Sequence, residues 1–340
     1  MGKLVTFGEI MGRLNPHGYL RIVQADEFEL TFAGGEANVA VAVANFGGEV
    51  SFVTALPKND LSTRLLRNLR GFNVDTKKIV FGGDRVGMYY VEKGASQRPS
   101  KVIYDRKYSS IATARRGDFD WDKILDGATW FHFTGITPAL SDELPLICLD
   151  AIRKAREKGI TVSCDLNYRG NLWSSARTGE VMSTLMPYVN VCLANEEDAA
   201  KVFGIHAENT DITSGTISEA GYESVARKLI ERFGFDKVAI TLRGSISASD
   251  NTWAAILYDG KEFYASRQYK IHLVDRVGGG DSFGGGLVYA LMSGYAPQDA
   301  VDFAVAASCL KQATEYDFSL STVEDVKKLM AGDGSGRVQR

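Results

Sequence analysis

The chain has 340 residues, of which 45% are hydrophobic and 24% charged, and its 39 basic and 42 acidic residues give a net charge of −3. This length favours one large domain with an insertion, or two domains. In either case the hydrophobic core is large enough to be stable without disulfides or a structural metal. The balanced charge argues against a dedicated nucleic-acid-binding protein, which would usually be basic.

The predicted elements alternate between strands and helices along most of the chain. Short apolar runs rich in β-branched and aromatic residues predict strands at 3–7, 50–55, 129–133, 161–164, 189–194, 237–241 and 252–258. The longer stretches between them predict helices at 36–46, 61–69, 143–158, 179–186, 219–233 and 282–293. This alternation indicates a mainly parallel sheet that is covered by helices on both faces.

Two segments interrupt the alternation, at about 13–32 and 84–112, where short strands follow one another without a helix between them. They predict a small β-structure at one edge of the large domain, which could act as a lid or as a contact in a homodimer or higher homo-oligomer. The expected organisation is therefore one α/β domain over 1–330 with these lid segments. The small, polar residues of 331–340 predict a flexible C-terminal tail.

The N-terminal sequence MGKLVTFGEIMG is typical of a first strand and lacks the apolar core and cleavage site of a signal peptide. No run of about 18 apolar residues occurs, so we expect no contact with a membrane. The cysteines and histidines stand far apart and form neither a zinc motif nor a C-x-x-C redox motif. We therefore expect buried, reduced thiols in a cytoplasmic protein.

Six of the 35 glycines fall within the nine residues 278–286, in the segment VDRVGGGDSFGGGLVYALMSG. Gly278, Gly279 and Gly280 precede Asp281 at the start of a predicted apolar helix. Glycines at the N-terminus of a helix leave backbone N–H groups uncovered, and the helix dipole adds positive potential there. This arrangement predicts an anion site, typically for phosphate. The later glycines, 284–286, would let the helix pack closely against a neighbour.

Other phosphate-binding patterns are absent from the sequence. It contains no G-x-x-x-x-G-K-[ST] segment, no G-x-G-x-x-G register within 278–286, and no H-R-D-x-x-x-x-N catalytic loop. Asp281 allows two interpretations. It is either a helix-capping residue or a base that accepts a proton from an attacking hydroxyl group, which is what phosphoryl transfer requires beside an anion hole.

Taken together, these motifs resemble those of the ribokinase-like (PfkB) family of carbohydrate kinases. The family signature D-x-x-G-A-G-D stands here at residues 275–281, with glycine where alanine is usual, and the glycine pair before a buried helix stands at Gly34 and Gly35. The likeness extends over nearly the whole chain. It implies a ribokinase-like α/β fold with a β-sheet lid, ATP as the phosphoryl donor and a sugar hydroxyl as the acceptor. By this resemblance Asp281 is the catalytic base and the amides of 278–281 form the anion hole.

The family motif N-x-x-E, which is linked to Mg²⁺ and the phosphates, appears as Asn195-Glu196-Glu197-Asp198, with aspartate at the last position. The resemblance does not assign the metal to any one of these acids, each of which is also a residue type that commonly begins a helix. For ATP and its phosphates the resemblance implies the following residues: Asn167, Asn195, Arg243, Gly244, Gly278, Gly279 and Gly280. A weak candidate for one wall of the adenine pocket is 306–311.

Within the family, the chain is similar to the 2-keto-3-deoxygluconate kinases. The shared features are Gly87-Met-Tyr89, Tyr104-x-Arg106, Asp165-x-Asn167-x-Arg169 and Glu315-Tyr-Asp317-Phe. Arg106 and Arg169, if they converge, could bind a carboxylate. Taken singly, an arginine is more often a surface residue, and tyrosines in strands usually serve packing. By the resemblance, the substrate contacts are Gly34, Tyr89, Tyr104, Arg106, Arg169 and Asp317.

We therefore expect an ATP-dependent kinase that phosphorylates the terminal hydroxyl of 2-keto-3-deoxygluconate, with ATP and Mg²⁺ as cofactors. Two alternatives remain open. One is a neutral-sugar kinase of the same family, such as a fructokinase or ribokinase, for which the two arginines would be dispensable. The other is a non-catalytic sensor of sugars or nucleotides on the same fold, against which the glycine setting of Asp281 argues.

Overall fold

The computed structural model describes residues 2–195, 197–206 and 219–332. Residues 333–340 of the predicted tail and Glu196 lie outside these ranges. None of the helices within the ranges combines the length and apolar character that crossing a bilayer requires.

The strands form at short runs rich in β-branched and aromatic residues, and the parallel strands of the large sheet are buried along most of their length. The strands are β1 (Lys3–Phe7), β2 (Met11–Asn15), β3 (Glu29–Ala33), β4 (Glu49–Val53), β5 (Ala55–Leu56), β6 (Val80–Phe81), β7 (Met88–Glu92), β8 (Lys101–Asp105), β9 (Ala128–Thr134), β10 (Thr161–Asp165), β11 (Val191–Asn195), β12 (Lys237–Ser245), β13 (Asp250–Tyr258), β14 (Phe263–Ala265) and β15 (Tyr269–His272). The helices are α1 (Gly35–Asn45), α2 (Asp60–Gly71), α3 (Trp121–Ile124), α4 (Leu144–Glu157), α5 (Ser175–Leu185), α6 (Asp198–Phe203), α7 (Glu219–Phe233), α8 (Gly279–Met292), α9 (Pro297–Gln312) and α10 (Val323–Met330).

The large sheet has the strand order β14-β13-β12-β11-β10-β9-β1-β4, and β15 pairs with β13. Every pair from β4 to β12 is parallel, whereas β13 runs antiparallel to β12, β14 and β15. The carboxyl ends of β9, β10 and β11 therefore meet at one edge of the sheet, which is where ligands bind in open α/β folds.

Helices cover both faces of this sheet. One face packs against α1, α8 and α9, and the other against α4, α5 and α7, so that two apolar cores lie on opposite sides of the strands. The prediction of a mainly parallel sheet between two helical layers is confirmed. The later glycines of α8 serve close packing, since a Cβ at Gly285 would lie 2.7 Å from the Ala42 Cβ and one at Gly286 would lie 3.0 Å from the Ala304 Cα.

A separate small sheet, which we call the lid sheet, has the order β3-β2-β7-β8. Strand β2 pairs antiparallel with β3 and parallel with β7, and β7 pairs antiparallel with β8. The predicted small β-structure is thus present, although β2 begins before the predicted segment of 13–32. The division of the chain into a domain over 1–330 with lid segments stays a prediction.

The predicted helices do not include the short helices α3 and α6 or the longer helices α9 and α10. Helix α9 has the sequence PQDAVDFAVAASCLKQ, whose small and apolar residues face in almost every direction and give little helical periodicity. Its burial explains the pattern, because α9 packs against α8, α10 and β13.

Candidate active site

Nine of the fourteen predicted site residues line a cavity of about 560 Å³ at the carboxyl edge of the parallel strands. Strand β10 ends at Asp165 and β11 at Asn195, and both side chains line this cavity. The predicted residues that line it are Tyr104, Asn167, Arg169, Asn195, Arg243, Gly278, Gly279, Gly280 and Asp281. The other predicted residues, which lie outside this lining, are Gly34, Tyr89, Arg106, Gly244 and Asp317.

The segment 276–280, which we call the glycine loop, enters α8 through a residue that must be glycine. Gly278 has φ +82°, in the left-handed region, and a Cβ there would lie only 2.3 Å from the main-chain oxygen of Asp317. The Gly279 amide donates to the Arg276 carbonyl at 3.2 Å and the Ser282 amide to the Gly278 carbonyl at 2.8 Å. Among the described residues, nothing accepts from the amides of Gly280 and Asp281, so this helix end has free donors for an anion.

Asp281 lies in the first turn of α8 and touches the glycine pair at the start of α1. Asn38 Nδ2 donates to Asp281 Oδ2 at 2.6 Å, and a Cβ at Gly35 would lie 3.6 Å from Asp281 Oδ1. Burial raises the pKa of Asp281 to about 6, against the hydrogen bond from Asn38 and the charge of Arg169, which lower it. A carboxylate with this pKa is largely ionised at neutral pH and is a stronger base than an exposed aspartate.

Three further acidic residues, Asp165, Glu197 and Asp198, line the cavity. Burial and the charges of Asp198 and Asp281 raise the pKa of Asp165 well above its usual range. Asp198 is buried and accepts from the Tyr168 amide at 3.1 Å, while Asn195 Oδ1 accepts from the amides of Glu197 (2.8 Å) and Asp198 (3.0 Å). Of the two acids of the predicted metal motif that the structure describes, Asp198 is buried and Glu197 is exposed.

Most of the predicted sugar contacts form one cluster between the lid sheet and the large domain. The rings of Tyr89 and Tyr104 stack with centroids 6.0 Å apart, and the Arg106 guanidinium lies 5.3 Å from the Tyr104 centroid. Tyr89 Oη donates to Asp317 Oδ2 at 3.0 Å. Gly34 packs against the main chain of Glu9, since a Cβ on it would lie 2.0 Å from the Glu9 main-chain oxygen.

Arg106 is not free to face the cavity with its whole guanidinium. Its Nε donates to Glu9 Oε2 at 2.7 Å, its Nη2 donates to the same oxygen, and Ser109 Oγ donates to Glu9 Oε1 at 2.5 Å. Arg106 and Glu9 are both buried. Arg169, in contrast, donates to its neighbour's carbonyl (Tyr168 O, 3.0 Å) and lines the cavity. The two arginines predicted to converge on a carboxylate therefore differ in availability.

A buried ion network joins the lid sheet to the glycine loop. Arg13 on β2 is fully buried and donates to Asp275 Oδ2 at 2.5 Å, to Asp317 Oδ1 and to Asn15 Oδ1 at 2.6 Å. Because Asp275 leads into the glycine loop and Asp317 contacts Gly278, this arginine fixes both sides of the loop.

The nucleotide side contains a pair of arginines, of which only one was predicted. Arg243 on β12 and Arg276 in the glycine loop both line the cavity. Burial and the charge of Arg243 lower the pKa of Arg276. Neither has an ion-pair partner among the described residues, and such a pair suits a polyphosphate. Gly244 follows on β12, close to Thr252. Within α9 it is Gln312, rather than 306–311, that lines the cavity.

Sequence reasoning missed several residues of the site. Arg276 lies inside the signature segment 275–281, and Asn38 lies four residues after Gly34. Both could have been predicted from their position in a motif. Glu9 and Arg13 belong to no such motif, and the residues they bind lie far away in the sequence, so no local pattern could have identified them.

Comparison with known proteins gives consistent matches over the chain. A family model described as pfkB family carbohydrate kinase matches residues 1–317. A 2-dehydro-3-deoxygluconokinase structure from Thermotoga maritima is 49% identical, with a TM-score of 0.94, covering 97% of this chain and 98% of that one. A 2-dehydro-3-deoxygalactonokinase from Haloferax volcanii is 32% identical, covering 98% of each chain. A ribokinase II from E. coli, solved with ATP and Mg²⁺, shares the fold at 17% identity, with a TM-score of 0.82, covering 97% of this chain and 99% of that one.

Proposed function

The chain belongs to the pfkB family of carbohydrate kinases, has the ribokinase-like fold and is an ATP-dependent carbohydrate kinase, and on this basis we propose that it phosphorylates 2-keto-3-deoxygluconate. Family membership confirms the prediction of an enzyme over that of a sensor. The proposed product carries the phosphate on the terminal hydroxyl. The names of the similar proteins from Thermotoga maritima and Haloferax volcanii support a 2-keto-3-deoxy sugar acid.

The observation that carries the proposal is the position of Asp281 beside the free amides of α8 in the cavity. In the proposed reaction the Asp281 carboxylate accepts the proton of the terminal hydroxyl as its oxygen bonds to the γ-phosphorus of ATP. The bond from that phosphorus to the bridging oxygen breaks, and its electron pair leaves with ADP. The amides of Gly280 and Asp281 stabilise the charge on the transferred group.

The residues present fit Mg²⁺ as the metal of this reaction. Asp165, Asp198 and Asp281 lie close enough for their negative charges to raise the pKa of Asp165, and a cation would offset that repulsion. Mg²⁺ is commonly held by one or two carboxylates together with substrate phosphates and water. We propose Asp165 and Asp198 for this role. When bound, the ion would neutralise charge on the phosphates of ATP.

Arg169 is the residue best suited to bind the carboxylate of a sugar acid. It lines the cavity, and its guanidinium donates to a main-chain carbonyl, that of Tyr168, and forms no ion pair with a carboxylate among the described residues. Gly34, Tyr89, Tyr104, Arg106 and Asp317 are proposed to complete the sugar side. Towards ATP we propose Asn167, Asn195, Arg243, Gly244 and the amides of Gly278, Gly279 and Gly280, of which Gly279 would first release the Arg276 carbonyl.

One observation favours a second candidate, a neutral-sugar kinase. The Arg106 guanidinium is already neutralised by Glu9, so that of the two arginines predicted to bind a carboxylate only Arg169 is available. The variant Arg169→Ala distinguishes a sugar-acid kinase from a neutral-sugar kinase. For a sugar acid, the loss of a charge-assisted hydrogen bond should raise KM about 10-fold or more, whereas turnover of a neutral sugar should stay close to that of the parent enzyme.

The product identifies the reaction. With ATP, Mg²⁺ and 2-keto-3-deoxygluconate, we expect phosphorus and carbon NMR to detect one phosphate ester at the terminal carbon for each ADP formed. A preference for the C4 epimer would move the proposal to the galactonate-derived acid. A failure to consume ATP with either acid would refute the proposed substrate class.

The pKa of Asp281 predicts how the rate depends on pH. Because only the ionised carboxylate accepts a proton and burial raises its pKa to about 6, kcat/KM should be constant at higher pH. It should fall as the pH drops through about 6, approaching tenfold per pH unit. The carboxylate of a sugar acid stays ionised in this range, so it does not cause the decline. A flat profile of kcat/KM between pH 5 and 8 would contradict the role of Asp281.

We also propose that the lid sheet contributes to a homodimer. Strand β8 is an edge strand, and its apolar residues Val102, Ile103 and Tyr104 are exposed. A charge at the centre of this edge should weaken self-association, so Ile103→Lys should increase the monomer fraction in light scattering coupled to size exclusion. A parent protein that is monomeric at every concentration tested would refute this proposal.

A further inference from the structure

One buried charge takes no part in the proposed reaction. Lys311, on α9, is fully buried. Its Nζ donates to the main-chain oxygen of Asp275 at 3.0 Å and to that of Val277. In the described part of the chain these two carbonyls are its hydrogen-bond partners, and no carboxylate lies within 4.0 Å of the ammonium.

Both carbonyls belong to the turn that begins the glycine loop. This turn leads directly into Gly278 and the free amides of α8. Helix α9 holds the same loop at two other points, since Gln312 O accepts from the Val274 amide at 2.9 Å and Ser308 Oγ donates to Gly279 O at 2.7 Å. Among these contacts between α9 and the glycine loop, the Lys311 ammonium supplies the charged group.

The surroundings of Lys311 are those of a cation site. Converging main-chain carbonyls are the ligands that proteins offer to metal cations. Burial lowers the pKa of Lys311, whereas the charges of Asp275, Asp317 and Asp281 oppose that effect and Arg13 adds to it. Three acids thus stabilise a positive charge here although none of them pairs with it directly.

We propose that Lys311 is a positioning residue that acts as a built-in cation: its ammonium binds the carbonyls of Asp275 and Val277 and so fixes the glycine loop with the amides of Gly280 and Asp281 directed to the phosphate. This inference rests on the proposed function of that loop. The Lys311 ammonium makes the enzyme independent of any dissolved monovalent cation, because it already fills the position between the two carbonyls.

The test uses Lys311→Met, which keeps most of the apolar stem, and Lys311→Ala, which leaves room for a dissolved cation. The matched control is Lys270→Met, at an exposed position on β15. Each protein is assayed for kcat, KM for ATP and melting temperature in NaCl, KCl and NH₄Cl at equal ionic strength.

We expect both Lys311 variants to lose about 10²-fold in kcat, since a displacement of about 1 Å in a reacting group costs that much. NH₄Cl or KCl should recover part of this loss for Lys311→Ala and raise its melting temperature relative to NaCl. For the parent enzyme and for Lys270→Met, kcat, KM for ATP and melting temperature should each be the same in all three salts.

Three results would overturn the inference. They are a kcat of Lys311→Met near the parent value, a parent enzyme that requires KCl or NH₄Cl, or a Lys311→Ala protein whose stability and rate ignore the cation. The salt response of the parent enzyme decides the matter even if neither variant folds. The melting temperatures do not depend on the substrate, so an error in the proposed sugar acid would leave this readout intact.

Discussion

Replacing Asp281 by asparagine is expected to lower kcat about 10³-fold, because a positioned general base contributes roughly 10²–10⁴-fold. The amide has nearly the shape of the carboxylate but cannot accept the proton of the sugar hydroxyl. Binding should change little, since the amides of α8 remain in place, so KM for ATP should stay close to the parent value. Steady-state assays of ADP release measure both constants.

Asp142→Asn is the matched control for this variant, because Asp142 is an exposed aspartate outside the cavity lining. It should retain parent kinetics. Equal melting temperatures for Asp281→Asn and the parent would establish that the loss of turnover is chemical. A kcat of Asp281→Asn near that of the parent would refute the assignment of Asp281 as the base.

The second large effect concerns stability. Arg13→Met should lower the free energy of unfolding by about 3–5 kcal/mol, because breaking a buried ion pair leaves uncompensated charge. Here two carboxylates, Asp275 and Asp317, would lose their shared guanidinium, and each is 4% exposed. Urea denaturation followed by circular dichroism measures the change as a shift in the midpoint at constant slope.

The control for Arg13→Met is Arg116→Met, which removes an ion pair with Asp150 on the surface. Exposed pairs are screened by solvent and contribute little, so this variant should keep the parent midpoint. If Arg13→Met unfolded at the same urea concentration as the parent, the buried network would not stabilise the loop as described. We also expect reduced turnover in Arg13→Met, since Asp275 leads into the glycine loop.

The alternation of strands and helices could be predicted because it is a local signal. Parallel strands such as β9 and β11 are buried on both faces and appear as continuous apolar runs. The missed helices show the limit of such reasoning, and α9 is the longest of them. Helix α9 is buried on nearly all sides, so it lacks the polar face that would have marked its period.

The site was predictable where a function is concentrated in a short segment, as in the glycines before Asp281. The contacts that hold this segment were not, since Arg13 is 262 residues from Asp275 and 304 from Asp317. Likewise, the sequence gives no sign that Arg106 would be neutralised by Glu9, 97 residues away. Such pairings depend on how the lid sheet packs, which no local pattern encodes.

The central claim is that the cavity beside Asp281 transfers phosphate to a sugar acid. The most direct measurement is a coupled assay of ADP release that compares kcat/KM for 2-keto-3-deoxygluconate with kcat/KM for fructose and ribose. We expect the acid to be preferred by at least about 10-fold, the contribution of a charge-assisted hydrogen bond to its carboxylate. An equal or higher kcat/KM for either neutral sugar would contradict the claim.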